Sequence, residues 1–174
     1  MKKILLALFV ALPFAAQSGW LQPDGSKVPD TASMRSSGDF GAHLILTPDA
    51  EKFRRTWNST KGTPSLATTK AVKIGSSISG VLIFTGCKPG ANKTCDVTVE
   101  FTLKTPSGTI EAAGNGPVWK SLPPEARILF LGDAGVTMEF DRSDELGTYT
   151  LIANVIDQNS KRKLKLTSPF HLAK

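Results

Sequence analysis

The sequence predicts an all-β protein, an antiparallel β-sandwich of about seven or eight strands with one short helix. Three observations carry this. Apolar residues recur at every second position, most clearly Val97, Val99, Phe101 and Leu103 against Thr98, Glu100, Thr102 and Lys104, which is the period of a half-buried strand. Turn-forming clusters such as Thr105-Pro106-Ser107-Gly108 and Asp157-Gln158-Asn159-Ser160 separate these stretches at short intervals. Only the segment from Thr47 to Trp57 carries helix signals. The chain has 174 residues, 40% of them hydrophobic and 21% charged, with a net charge of +6. That suits one domain with its own core and excludes a wholly disordered chain.

Residues 1–18, MKKILLALFVALPFAAQS, have the layout of a secretory signal peptide: Lys2 and Lys3, an apolar run from Ile4 to Ala16, then Ala16 and Ser18 as small residues. The run is shorter than the roughly 20 residues that a membrane-spanning helix needs. Cleavage after Ser18 or after Ala16 fits. Loss of residues 1–18, which hold two lysines and no acid, leaves 156 residues with a charge of +4. The expectation is a periplasmic or secreted bacterial protein with no membrane span. Residues 19–40 are rich in Pro, Asp, Gly and Ser, lack an apolar period and read as an extended N-terminal arm. Residues 41–174 make the sandwich domain.

Within that domain, Ala42–Leu46 is a candidate first strand. Thr47-Pro48-Asp49 then resembles a helix start, with an N-cap, proline at the first helical position and an acid in the first turn. Phe53 and Trp57 share one face of that helix, where Trp57 reads as core. Residues 58–69 are loop. Ile78 to Phe84, Val97 to Leu103 and Thr109 to Ala113 read as strands, and Gly114 to Pro124 as a loop carrying Trp119. Two short strands follow, Arg127–Leu131 and the stretch with Val136, Met138 and Phe140. Tyr149, Leu151, Ala153 and Val155 alternate in the next, and Leu164 to Leu172 end the chain.

The cysteines gain meaning from export. Cys87 and Cys95 enclose KPGANKT, with Pro89, Gly90 and Asn92 as turn formers, between two strands. A disulfide closing this hairpin is expected in an oxidising compartment, contributing roughly 2.5 kcal/mol by loop entropy. A catalytic pair has C-x-x-C at a helix start, a spacing absent here.

Asp144-Glu145-Leu146-Gly147-Thr148-Tyr149-Thr150-Leu151 holds the only tyrosine of the chain. It resembles the tyrosine corner of immunoglobulin-like domains, in which a tyrosine near the start of strand F returns its hydroxyl to nearby backbone. The D-x-L-G-x-Y-x-L form is similar to bacterial exported immunoglobulin-like, macroglobulin-like modules. The likeness covers residues 141–157 well and 70–172 loosely. No cysteine pair joins strands B and F and no tryptophan falls in strand C, so it reaches the broad superfamily and not antibody domains. The resemblance implies an immunoglobulin-like antiparallel β-sandwich in which Gly147 and Tyr149 are structural, and it implies no activity.

Candidate chemistry is sparse. G-x-S-x-G and S-x-x-K are absent, and only His43 and His171 could act as a base. Copper carriage through His43 lacks soft co-ligands, the remaining methionines being Met34 and Met138. Asp141, Asp144 and Glu145 cluster in one loop and offer oxygens to calcium, though without the D-x-D-x-D-G spacing. Lys161, Arg162, Lys163 and Lys165 form a basic run whose Lys163 and Lys165 alternate with Leu164 and Leu166, as on the outward face of an edge strand. Trp119 could anchor a partner from its loop. No aromatic-basic motif supports nucleic-acid binding. The composition therefore points to a non-enzymatic exported module that contacts another envelope protein or an acidic surface, with no cofactor. The alternative is a periplasmic carrier of a metal or small ligand.

Overall fold

The computed structural model describes residues 20, 24–26, 28–60, 64–124 and 129–174. The signal segment expected over 1–18 lies outside the described residues. Among the described residues, nine strands and one helix follow in order: β1 (Met34–Ser37), β2 (Phe40–Thr47), α1 (Ala50–Ser59), β3 (Ala71–Lys73), β4 (Ser77–Thr85), β5 (Val97–Lys104), β6 (Ile110–Trp119), β7 (Phe130–Glu139), β8 (Gly147–Asp157) and β9 (Arg162–Ala173). They form a four-stranded sheet, β1-β2-β4-β7, and a five-stranded sheet, β3-β9-β8-β5-β6. Every pairing is antiparallel except β3 with β9. The chain runs through β1 and β2 of one sheet and crosses to the other at β3. β2, β4 and β7 correspond to strands A, B and E, and β5, β8 and β9 to C, F and G, of an immunoglobulin-like sandwich.

The alternation seen in the sequence places the core. Val97, Val99, Phe101 and Leu103 of β5 are buried, as are Tyr149, Leu151, Ala153 and Val155 of β8 and Leu164, Leu166, Phe170 and Leu172 of β9. They meet Phe40, Ala42, Leu44 and Leu46 of β2 and Ile78, Leu82 and Phe84 of β4 in one cluster. β4 is buried on both faces because its outer residues are covered too. Val81 and Ile83 join Trp20, Phe53 and Leu131 in a second cluster, with Trp57 packed against it. Helix α1 lies over this outer face, and the Arg54 guanidinium donates to the carbonyls of Gly132 and Asp133.

Several sequence expectations change. The helix is capped by Asp49, whose carboxylate accepts the Lys52 amide at 2.8 Å, so Thr47 is not the N-cap and Pro48 precedes the helix. The segment read as an arm over 19–40 supplies β1, which pairs with β2. It also supplies Trp20, whose indole N–H donates to the Arg35 carbonyl at 3.0 Å. Of the two short strands expected, the start of Arg127–Leu131 lies outside the described residues, and Phe130–Glu139 form one strand, β7, with a bulge where Val81 faces Gly135 while Ile83 faces Leu131. β6 runs through Trp119, so that tryptophan ends a strand and does not sit in a loop. β9 lies between β3 and β8 and is not a sheet edge, although β3 covers only its last three residues.

Candidate functional site

The Cys87–Cys95 disulfide is present, with its Cα atoms 5.9 Å apart. It closes a loop that the β8–β9 turn holds in place. The buried Asp157 carboxylate accepts the Lys88 amide at 2.9 Å and the Ser160 hydroxyl at 2.6 Å. Asn159 donates from its side chain to the carbonyls of Lys88 and Thr94. The disulfide end of the sandwich is thus a braced structural unit.

The tyrosine corner stands at the opposite end of β8. The Tyr149 hydroxyl donates to the Glu145 carbonyl at 2.9 Å, and its ring lies against Phe140 and Phe170. Gly147 has φ +139° and a Cβ there would lie 3.1 Å from Pro106 Cβ, so both space and conformation favour glycine. Burial, and then the nearby carboxylates of Asp144, Glu145 and Glu111, push the Tyr149 phenol above its ordinary pKa.

The acidic loop is used by its own backbone. Asp144 accepts the Asp141 amide at 2.7 Å, and Asp141 accepts the Ser143 amide and hydroxyl. Those two donors hold the exposed Asp141 carboxyl below the usual range. Glu145 accepts the Ser107 amide at 3.0 Å, tying the loop to the β5–β6 turn. Among the described residues no group of three or more His, Cys, Asp or Glu side chains is placed to share a metal ion.

The basic run does not form one patch. Lys163 and Lys165 point outward from the five-stranded sheet, in register with Ile156 and Asn154. Arg162 has the opposite parity and its guanidinium stands over Gly38, where a Cβ would meet it at 2.5 Å. Lys161 occupies the turn, with φ +60°. Trp119 is half-buried against Phe84 and Phe130, with ring centroids 5.6 Å away in each case, and donates its indole N–H to Leu122. His43 is half-buried edge-on to Trp20, and burial pushes its pKa down. His171 is exposed on β9.

A cleft lies elsewhere, along the seam where β6 and β7 end their respective sheets. No ladder joins these two strands. They touch closely at one end: a Cβ on Gly132 would lie 2.6 Å from Val118 Cγ1, and one on Gly116 would lie 3.9 Å from Ala134. β6 then bends. Phe101 faces Gly114 while Thr102 faces Ala112, so Ala113 is an extra residue, and Gly114 takes φ +150°. A bulge of this kind bends a strand and sharpens its twist. Beyond it the strands part around a cleft of about 460 Å³. Met138, Phe140 and Tyr149 lie at its base, and Glu111, Glu139, Asp144 and Glu145 line its walls. The sequence reading found Asp144, Glu145 and Tyr149 but not Glu111 or Glu139. The only signal for Glu111 was the glycine-interrupted stretch from Ile110 to Gly116, and for Glu139 its place between the apolar Met138 and Phe140.

No protein-family model matches the chain, and no curated protein does. Among solved structures, it is similar to the CARDB domain of the PF1109 protein from Pyrococcus furiosus, in complex with di-metal ions. The identity is 15% and the TM-score 0.39, over 60% of this chain and 81% of that one. A chitin binding domain from Burkholderia pseudomallei is 16% identical, with a TM-score of 0.30, over 94% of this chain and 83% of that one. A family 123 glycoside hydrolase from Clostridium perfringens is 11% identical, with a TM-score of 0.45, over 76% of this chain. This chain spans only 27% of that enzyme's length.

Proposed function

We propose that this chain is an exported, non-enzymatic immunoglobulin-like module that binds or assembles with another protein of the bacterial envelope. The observation that carries the reading is the open seam. Two sheets end side by side at β6 and β7, with exposed backbone along β6, and a free sheet edge is a template for strand addition. The intramolecular disulfide suits an oxidising compartment. Among the described residues no helix is long and apolar enough to cross a membrane. The outward lysines Lys163 and Lys165 supply a second, charged surface on the five-stranded sheet.

Photocrosslinking tests this. A photoreactive amino acid is placed in turn at Ile110, Leu122 and Lys163, all exposed, in the protein produced with its full N-terminal segment. The expected result is a covalent adduct with one envelope protein from at least one position, and an N-terminus that begins at Gly19 or Gln17 by mass spectrometry. A protein that keeps residues 1–18, or one that gives no adduct at any position, overturns the reading.

A further inference from the structure

We propose that the cleft between β6 and β7 docks an extended, lysine- or arginine-bearing segment of a partner protein, which adds as a strand to the free edge of β6. This rests on the binding-module reading and names the surface and the chemistry of what it holds.

Three observations converge. The first is backbone. β6 pairs with β5 on one side only, and past the bulge at Ala113 it diverges from β7. The seam is closed at Gly132 and open at Glu139. A strand seated on β6 would lie about 4.8 Å from it, satisfying backbone groups that face solvent. The second is charge. Glu111, Glu139, Asp144 and Glu145 line the cleft, and among the described residues no lysine or arginine does. The ion pairs among the described residues are Arg55–Glu51 and Lys120–Asp96, so none of these four carboxylates is neutralised by a cation at contact distance. Glu111 and Glu139 also make no side-chain hydrogen bond among the described residues. An anionic or neutral strand would leave that repulsion in place, whereas a cationic one relieves it. The third is apolar exposure. Ile110 is 62% and Leu146 42% exposed beside the cleft, which gives the apolar side chains of an alternating strand something to cover.

Peptide titration followed by amide NMR of the folded protein tests this. The probe is a capped octapeptide of alternating lysine and valine, and its control alternates glutamate and valine. The lysine peptide should bind and shift amides of 110–115 and 138–146, with affinity that falls as salt is raised. The glutamate peptide should not bind. Glu111→Gln with Glu139→Gln, the loss of two exposed charges, should weaken binding about fivefold. Ala112→Lys, an exposed site on the wall, should abolish it with the melting temperature unchanged. Lys163→Gln with Lys165→Gln should leave it intact. Equal affinity for both peptides, shifts centred on Lys163 and Lys165, or no shifts at about 2 mM lysine peptide would each overturn the assignment. Crosslinks at Lys163 alone, with no peptide binding, would discard the cleft and retain the binding module.

Discussion

Val118 packs so closely on Gly132 that a Cβ on the glycine would lie 2.6 Å from Val118 Cγ1. This contact joins the five-stranded sheet to the four-stranded one along their shared edge, beside the Phe84–Trp119–Phe130 cluster. It is where the β6–β7 seam is shut.

Gly132→Ala should therefore destabilise the protein by about 1–3 kcal/mol through overpacking, as measured by urea denaturation. Gly116→Ala, whose Cβ would meet Ala134 at an ordinary 3.9 Å, should change stability by about 0.5 kcal/mol or less. Equal effects of the two substitutions would show that the seam does not depend on this approach.

At this same end of the molecule, where Val97 pairs with Trp119 and Phe84 with Phe130, non-reducing mass mapping should join Cys87 to Cys95 within one chain. Reduction should cost about 2–3 kcal/mol. Asp157→Ala removes the buried carboxylate that accepts the Lys88 amide and the Ser160 hydroxyl and should cost about 3 kcal/mol. Since Asp157 and the disulfide brace one loop, the two losses combined should be smaller than additive. Strict additivity would mean that they act on separate units.

Tyr149→Phe removes the hydroxyl that donates to Glu145 and should cost about 1 kcal/mol. The phenol titrates above its ordinary value in the fold, so the folded state keeps its proton where the unfolded state loses it. Stability should be unaffected by this group below pH 10 and fall as the pH rises beyond it. Unfolding curves of the parent and of Tyr149→Phe, measured from pH 8 to 11, should converge at the alkaline end. Parallel curves would contradict the burial of the phenol.

His43 behaves in the opposite sense. Burial lowers its pKa below 6.5, so the unfolded chain binds a proton that the folded chain refuses. The stabilisation is fully present above pH 6.5 and declines as the pH falls below it. His43→Leu should remove that decline while keeping the contact with Trp20. A protein whose stability below pH 6.5 matches that of the substituted form would exclude a buried neutral imidazole.

Strands whose two faces meet different media are legible in the sequence. β5 and β8 alternate because one face is core and the other solvent, and the tyrosine corner is a local motif whose donor and acceptor are four residues apart. Both are written within a dozen residues. The cysteine pair was legible for the same reason, its loop being short. The tertiary structure alone decided everything that depends on two distant segments meeting. The stretch from Phe130 to Glu139 read as parts of two short strands until pairing with β4 joined them through a bulge. Residues 19–40 lack a period, yet β2 recruits Met34–Ser37 as a strand and the sheet's outer face buries Trp20. The basic run looked like one patch, but strand parity sends Lys163 and Arg162 to opposite faces. Glu111 and Glu139 lie 28 positions apart in sequence and share a cleft only because β6 bends away from β7 at Ala113. Periodicity records which side of a strand faces the core, and it carries no information about which edge lies beside which.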